Sequence, residues 1–251
     1  MSRLISFLVA IGMVLAPAAS SQVVEPAADL AARLQLLSST GNAEASYHLG
    51  MIYHLGLEGM TRDPRRAFDY FRRAAEGGDP LGAYKLGCFY AGQGESVVQA
   101  DHELALRYKL RAAEAGYSLA QLDVARIYDD RGDQDLAVRW IEAAARQGDM
   151  SAMMAALSYR SPHGARPDAA RAWLYYELVL RKAASMAAEI APNEPAPSRE
   201  ELGAPLREMI GQLDEDGRAA GEQLLEAWRE ERSAVTRRAD LGLEAARQLA
   251  S

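Results

Sequence analysis

The 251-residue sequence predicts an all-α fold, an α/α solenoid of about four helix pairs with helical caps at both ends. Three observations carry this. One pattern of small and apolar residues recurs four times and aligns on Gly41, Gly78, Gly116 and Gly148, and self-similarity at such a period is the mark of a repeat array. The composition is rich in alanine and leucine, 25% charged, with four phenylalanines and no long runs of valine or isoleucine, which suits helices packed through small side chains. The glycines lie 37, 38 and 32 residues apart, and the unevenness falls in a single loop of each repeat. A stack of helix pairs requires this, because a packed face tolerates no slip in register and an exposed loop does.

The chain opens with "MSRLISFLVAIGMVLAPAASSQ": one early arginine, an apolar run from Leu4 to Leu15, then small residues around Pro17. Residues 1–21 read as a secretory signal peptide cleaved after Ala18 or Ser21, which would make the protein periplasmic or secreted. The apolar run is short of the roughly 20 residues that a membrane span needs. Losing Arg3 with the leader leaves a charge of −8, a poor surface for nucleic acid or anionic lipid. Cys88 is the only cysteine, so no intramolecular disulfide can form, and the stack depends on packing. Residues 22–40 read as a short leading helix, with Pro26 near its start, that caps the first repeat.

Each repeat begins after its glycine. Small residues stand four places on, at Ala45, Gly82, Ala120 and Ala152, and nine places on, at Gly50, Gly87 and Ala125. Apolar residues fill places six and eight, and a tyrosine closes the helix at Tyr53, Tyr90, Tyr128 and Tyr159. These spacings describe one broad helical face with gaps where another backbone comes close. The second helix carries Ala67, Ala105 and Ala137, then Tyr70, Tyr108 and Trp140, then the pairs Ala74 and Ala75, Ala112 and Ala113, Ala144 and Ala145. The glycine that follows suits a helix C-terminus in the left-handed conformation.

The best copy, "AEASYHLGMIYHLGLEGMTRDPRRAFDYFRRAAEGG", resembles the Sel1-like repeat, a relative of the tetratricopeptide repeat, and the likeness covers roughly residues 41 to 180. It implies a right-handed solenoid over residues 41–184. The third copy has a shortened loop; in the fourth, "HGARPDAARAWLYYELVL" replaces the loop and no closing alanine pair and glycine follow, so that copy ends the stack. Some secreted proteins of this kind staple each repeat with a cysteine pair, a pattern from which this chain departs. The resemblance implies a non-enzymatic periplasmic scaffold or regulator that binds a protein or peptide on its concave face, such as an envelope sensor or a cell-wall enzyme. The alternative is a cell-wall-related enzyme, or a binder of β-lactam or peptidoglycan.

Beyond the repeats, "APNEPAPSREELGAP" holds four prolines, and residues 185–205 read as an extended linker. Within it, Ser198 and Glu201 form a capping box that restarts a helix. Residues 206–251 read as a helical tail, with two amphipathic helices joined at "DEDG" and with Leu224, Leu225 and Trp228 on one apolar side. Such a tail caps the open end of the last repeat; the rival reading is a mobile helix that docks on a partner.

Catalytic patterns are not found. His48, His54, His102 and His163 show no ligand spacing and read as solvent-facing or capping residues, and no Ser/His/Asp set, phosphate loop or CxxC occurs, so neither metal nor cofactor is expected. "QLDEDG" reads as a helix N-cap and "DDRGDQD" as a turn. The candidate binding surface is the stripe three, seven and ten places after each glycine, which the packing positions leave free: Glu44, His48 and Met51, then Leu81, Lys85 and Cys88, then Leu119, Asp123 and Arg126. Arg72 and Arg111, on the outer helices, read as neutral positions.

Overall fold

The computed structural model describes residues 27–251 except 94–96, 194, 196 and 212. The leader expected at 1–21 lies outside the described residues. Helix α1 (Ala27–Ser39) precedes four helix pairs: α2 (Ala43–Leu55) and α3 (Pro64–Glu76), α4 (Pro80–Cys88) and α5 (His102–Glu114), α6 (Ser118–Asp130) and α7 (Gln134–Arg146), α8 (Met150–Arg160) and α9 (Ala169–Ile190). Each helix packs on the next in chain order. No strand occurs among the described residues.

Local chemistry starts and stops these helices. Asn42, Asp63, Asp79, Asp101, Asp133, Asp149 and Asp168 each accept a backbone N–H at the first turn of the helix they open. Gly41, Gly78, Gly116 and Gly148 adopt φ between 83° and 93°, the left-handed conformation the sequence called for. Small residues mark the tightest contacts: a Cβ on Gly82 would come within 2.4 Å of the Ala74 Cβ. Ala74, Ala112 and Ala144 are fully buried where the helices meet. Repeats are also tied by main-chain contacts from side chains. Arg111, exposed on its outer helix, donates to the Ala75 carbonyl at 2.7 Å and so bridges two repeats. Arg72 pairs with its helix neighbour Asp69 at 3.0 Å, both side chains exposed.

The expected linker is shorter than 185–205. Helix α9 continues to Ile190, since Ala183, Ala184, Ala187 and Ala188 favour helix and the first proline comes only at Pro192. The capping box of Ser198 and Glu201 then opens α10 (Arg199–Gly203). A turn at Ala204–Leu206 leads into α11 (Arg207–Ile210). Asp214 caps α12 (Glu215–Ala227), accepting the Gly217 N–H at 2.7 Å.

Helix α12 packs on α9 and closes the last repeat. Leu225 and Trp228 face that core, with the Trp228 ring 6.2 Å from Tyr175, whereas Leu224 is exposed, contrary to its expected place on the apolar side. The chain does not end there. After the irregular stretch 228–233 it forms α13 (Ala234–Leu241), which contacts α4, and α14 (Leu243–Ala250), which packs on α1 and α2. Gly242 separates them at φ 55° and ψ −122°, a backbone that only glycine adopts without strain. The tail thus closes the last repeat and then runs back to the first.

Candidate interaction groove

The returning segment, a strap from residue 229 to 250, crosses the starts of the first helices of the pairs. Main-chain groups in the turns between one pair and the next receive it. The Glu231 N–H donates to the Arg146 carbonyl at 2.9 Å. The Ser233 hydroxyl donates to the Gly116 carbonyl at 2.7 Å, and the Ser233 N–H to the Gln147 side-chain oxygen at 3.1 Å. Gln147 is held in turn by donating to Gly116 and Gln121, at 2.8 and 2.9 Å. Helices α2, α4 and α8 carry Asn42, Asp79 and Asp149 at the N-cap, whereas α6 begins after Tyr117, which supplies no capping bond. Thr236 makes good the lack: its hydroxyl accepts the Ser118 N–H at 3.1 Å and donates to Gln147 at 2.8 Å. Gly116 lets the strap approach, since a Cβ there would meet the Ser233 Cβ at 2.9 Å.

Arg238 is the strap's anchor. Its Nη2 lies 2.5 Å from an Asp79 carboxylate oxygen and its Nη1 3.1 Å from Glu44, with the guanidinium 5.7 Å from the Tyr47 ring centre. Burial raises the Asp79 pKa, against the opposing pull of Arg238 and of the Gly82 N–H. Farther on, Ala246 is fully buried among Leu30, Leu34, Ala45, Leu49 and Ile52, and Arg247 reaches Glu58 at 3.3 Å.

This arrangement sorts the expected stripe. Glu44 lies in the groove and binds Arg238. His48 is 1% exposed and Leu81 equally buried, so neither is free, contrary to expectation. Leu81 belongs to the core of Tyr47 and Tyr117 against which Val235 and Ala239 of the strap pack. Asp123 is engaged from behind by the buried Lys109 of α5, and the Tyr84 hydroxyl donates to it at 3.4 Å. Met51, Lys85 and Cys88 are half-buried, Leu119 is exposed, and exposed Arg126 stands 3.7 Å from Asp130. Burial pushes the Cys88 thiol pKa up, as befits a packed residue rather than a reactive one. The sequence reading missed Ser233, Thr236, Arg238 and Gln147. The one signal was the tyrosine at position 117, where the other first helices carry Asn or Asp.

Burial lowers the His48 pKa from 6.5 to about 4, with Glu44 pulling upward and Arg238 adding to the lowering. The unfolded chain takes up this proton below about pH 6.5 and the folded chain only near pH 4, so its stability is full above 6.5 and falls as the pH drops through that window. Asp79, with its raised pKa, works in the opposite sense. Thermal melts at pH 7 and pH 5 should show a larger fall for the parent than for His48→Gln; equal falls would contradict the buried neutral imidazole.

Comparison with known proteins identifies the repeats. The Sel1 repeat family model matches residues 43–79, 80–117, 118–149 and 151–178, more than half of the chain. The chain belongs to the Sel1 repeat family. Its Sel1 repeats therefore begin where α2, α4, α6 and α8 begin, and the strap lies outside them. The crystal structure of a Sel1 repeat protein from Oxalobacter formigenes is similar at a TM-score of 0.58, 22% identical, covering 82% of this chain and 80% of that one. A protective antigen of uropathogenic Escherichia coli displaying an SLR fold is similar at 0.52 and 20% identity, over 83% of this chain and 50% of that one. These likenesses show the fold. Chitin synthase regulatory factor 4 of Schizosaccharomyces pombe is 28% identical over 113 residues, 45% of this chain. The chain spans about a fifth of that protein's length.

Proposed function

We propose that the protein is a non-enzymatic, exported scaffold or regulator that holds a protein or peptide segment along the first helices of its repeats. The observation that carries this is the strap: the groove already binds a helical segment, through main-chain carbonyls, one unpaired helix-start N–H and a pair of carboxylates. Sel1 repeats mediate protein interactions, and the relative from Schizosaccharomyces pombe is a regulatory factor by name, which agrees with a binding role. Export to the periplasm rests on the leader-like composition of residues 1–21, and an envelope sensor or cell-wall enzyme is the partner class it suggests. No described helix is long and apolar enough to cross a membrane.

Beyond the strap, Lys85 and Arg126 keep access to water on the same helix row. With the full chain as bait in a periplasmic extract, Lys85→Glu combined with Arg126→Glu should cut partner capture at least several-fold while helix content and melting temperature hold. Arg72→Glu, at an exposed residue paired with its helix neighbour Asp69, should change nothing. Undiminished capture by the double variant would move the interface elsewhere.

A further inference from the structure

Resting on that reading, we propose that the strap stands in for the partner: the seat of Asp79, Glu44 and the Tyr47 ring takes an arginine-bearing helical segment of another protein, which docks where α13 now lies. The seat has the chemistry of arginine recognition. Asp79 spends one carboxylate oxygen on the Gly82 N–H at 2.7 Å and offers the other to Arg238. Glu44 offers a second carboxylate to the other guanidinium nitrogen, and the Tyr47 ring lies alongside. A planar fork presents separate N–H groups to two carboxylates in a fixed geometry, which the compact ammonium of lysine lacks. Among the described residues the buried His48 Nε2 has no hydrogen-bond partner, with Glu44 at 3.6 Å, so the seat has unspent polar capacity.

The rest of the groove sets what must accompany the arginine. The unpaired Ser118 N–H takes a hydroxyl acceptor two residues before it, and the Gly116 carbonyl takes a hydroxyl donor three residues earlier still, as Thr236 and Ser233 now do. A partner segment of the pattern Ser-x-x-Thr-x-Arg, helical from the first serine, reproduces every one of these contacts. The α13 part of the strap is held less tightly than α14, whose Ala246 is fully buried. Of the eight residues of α13 only Thr236 is buried, and six irregular residues, 228–233, join α13 to α12. Such a tether keeps the strap at a high local concentration, so an external segment competes poorly until the strap's own arginine is removed.

The test uses the full-length chain and a labelled peptide of residues 231–251. By fluorescence anisotropy the peptide should bind the Arg238→Ala chain at least ten-fold tighter than the parent. Adding Asp79→Asn, which keeps the helix cap and removes the charge, should abolish the gain, and a peptide with alanine in place of its Arg238 should fail on either chain. Arg238→Lys, which keeps charge without the fork, should give an intermediate gain and serves if the alanine chain does not fold. Equal binding to parent and variant chains, equal binding by the arginine-less peptide, or dimerisation of the Arg238→Ala chain by light scattering would each overturn the proposal, the last by showing that a second copy is the occupant. Peptide failure alongside partner capture that Lys85→Glu and Arg126→Glu still weaken removes this proposal and leaves the scaffold reading standing.

Discussion

Asp123→Ala should destabilise the protein by about 3 kcal/mol, whereas Lys109→Met should cost much less. The two residues form one ion pair, but they are buried unequally: the Lys109 side chain is 1% exposed and that of Asp123 26%. Taking away the carboxylate strands an ammonium between α5 and α6, beside the Tyr84 ring at 5.8 Å and the Cys88 thiol, with its opposite charge gone. Taking away the ammonium leaves a carboxylate that water can still reach, and methionine fills the lysine's space. Urea denaturation of both variants decides the matter. The reverse order of the two losses would show that the pair is not buried from the lysine side.

Ala112→Leu should cost roughly 1 to 3 kcal/mol by overpacking, and lower the melting temperature by a few degrees. Ala112 is fully buried at the centre of the stack, and its backbone carbonyl accepts the Tyr117 N–H that turns the chain into the next repeat. Three extra carbons there must push α5 away from its neighbours. Because stability in a stack is carried by contacts between neighbouring repeats, a wedge in the second repeat weakens both flanks. An unchanged melting temperature would mean that the alanine pairs do not mark the contact line.

Much of this fold is legible in the sequence because it is periodic. The glycines that end the second helices and the alanine pairs before them recur at fixed offsets, and each repeat confirms the next. The capping residues Ser198 and Asp214 were readable as local signals, since a helix start needs only its own neighbours. The route of the tail was not readable. The strap meets the carbonyls of Gly116 and Arg146, and a carbonyl leaves no trace in residue identity. Arg238 meets Asp79 across 159 positions, with no local pattern to announce the pairing. His48, which its spacing places on the free stripe, is 1% exposed with Glu44 and Arg238 beside it, and the Arg238 contact comes from far along the chain. The prolines mark the linker but not its start, because the alanines before Pro192 carry the helix on to Ile190.

The central claim is that the groove along the first helices is a binding surface occupied by an exchangeable strap. Hydrogen exchange on the full chain, parent against Arg238→Ala, tests it most directly. The account predicts that amides of residues 233–250 and of Ser118 lose at least ten-fold of their protection in the variant, while those of 105–113 and 137–145 keep theirs. Strap and repeat helices opening together, or a strap unaffected by loss of Arg238, would contradict it.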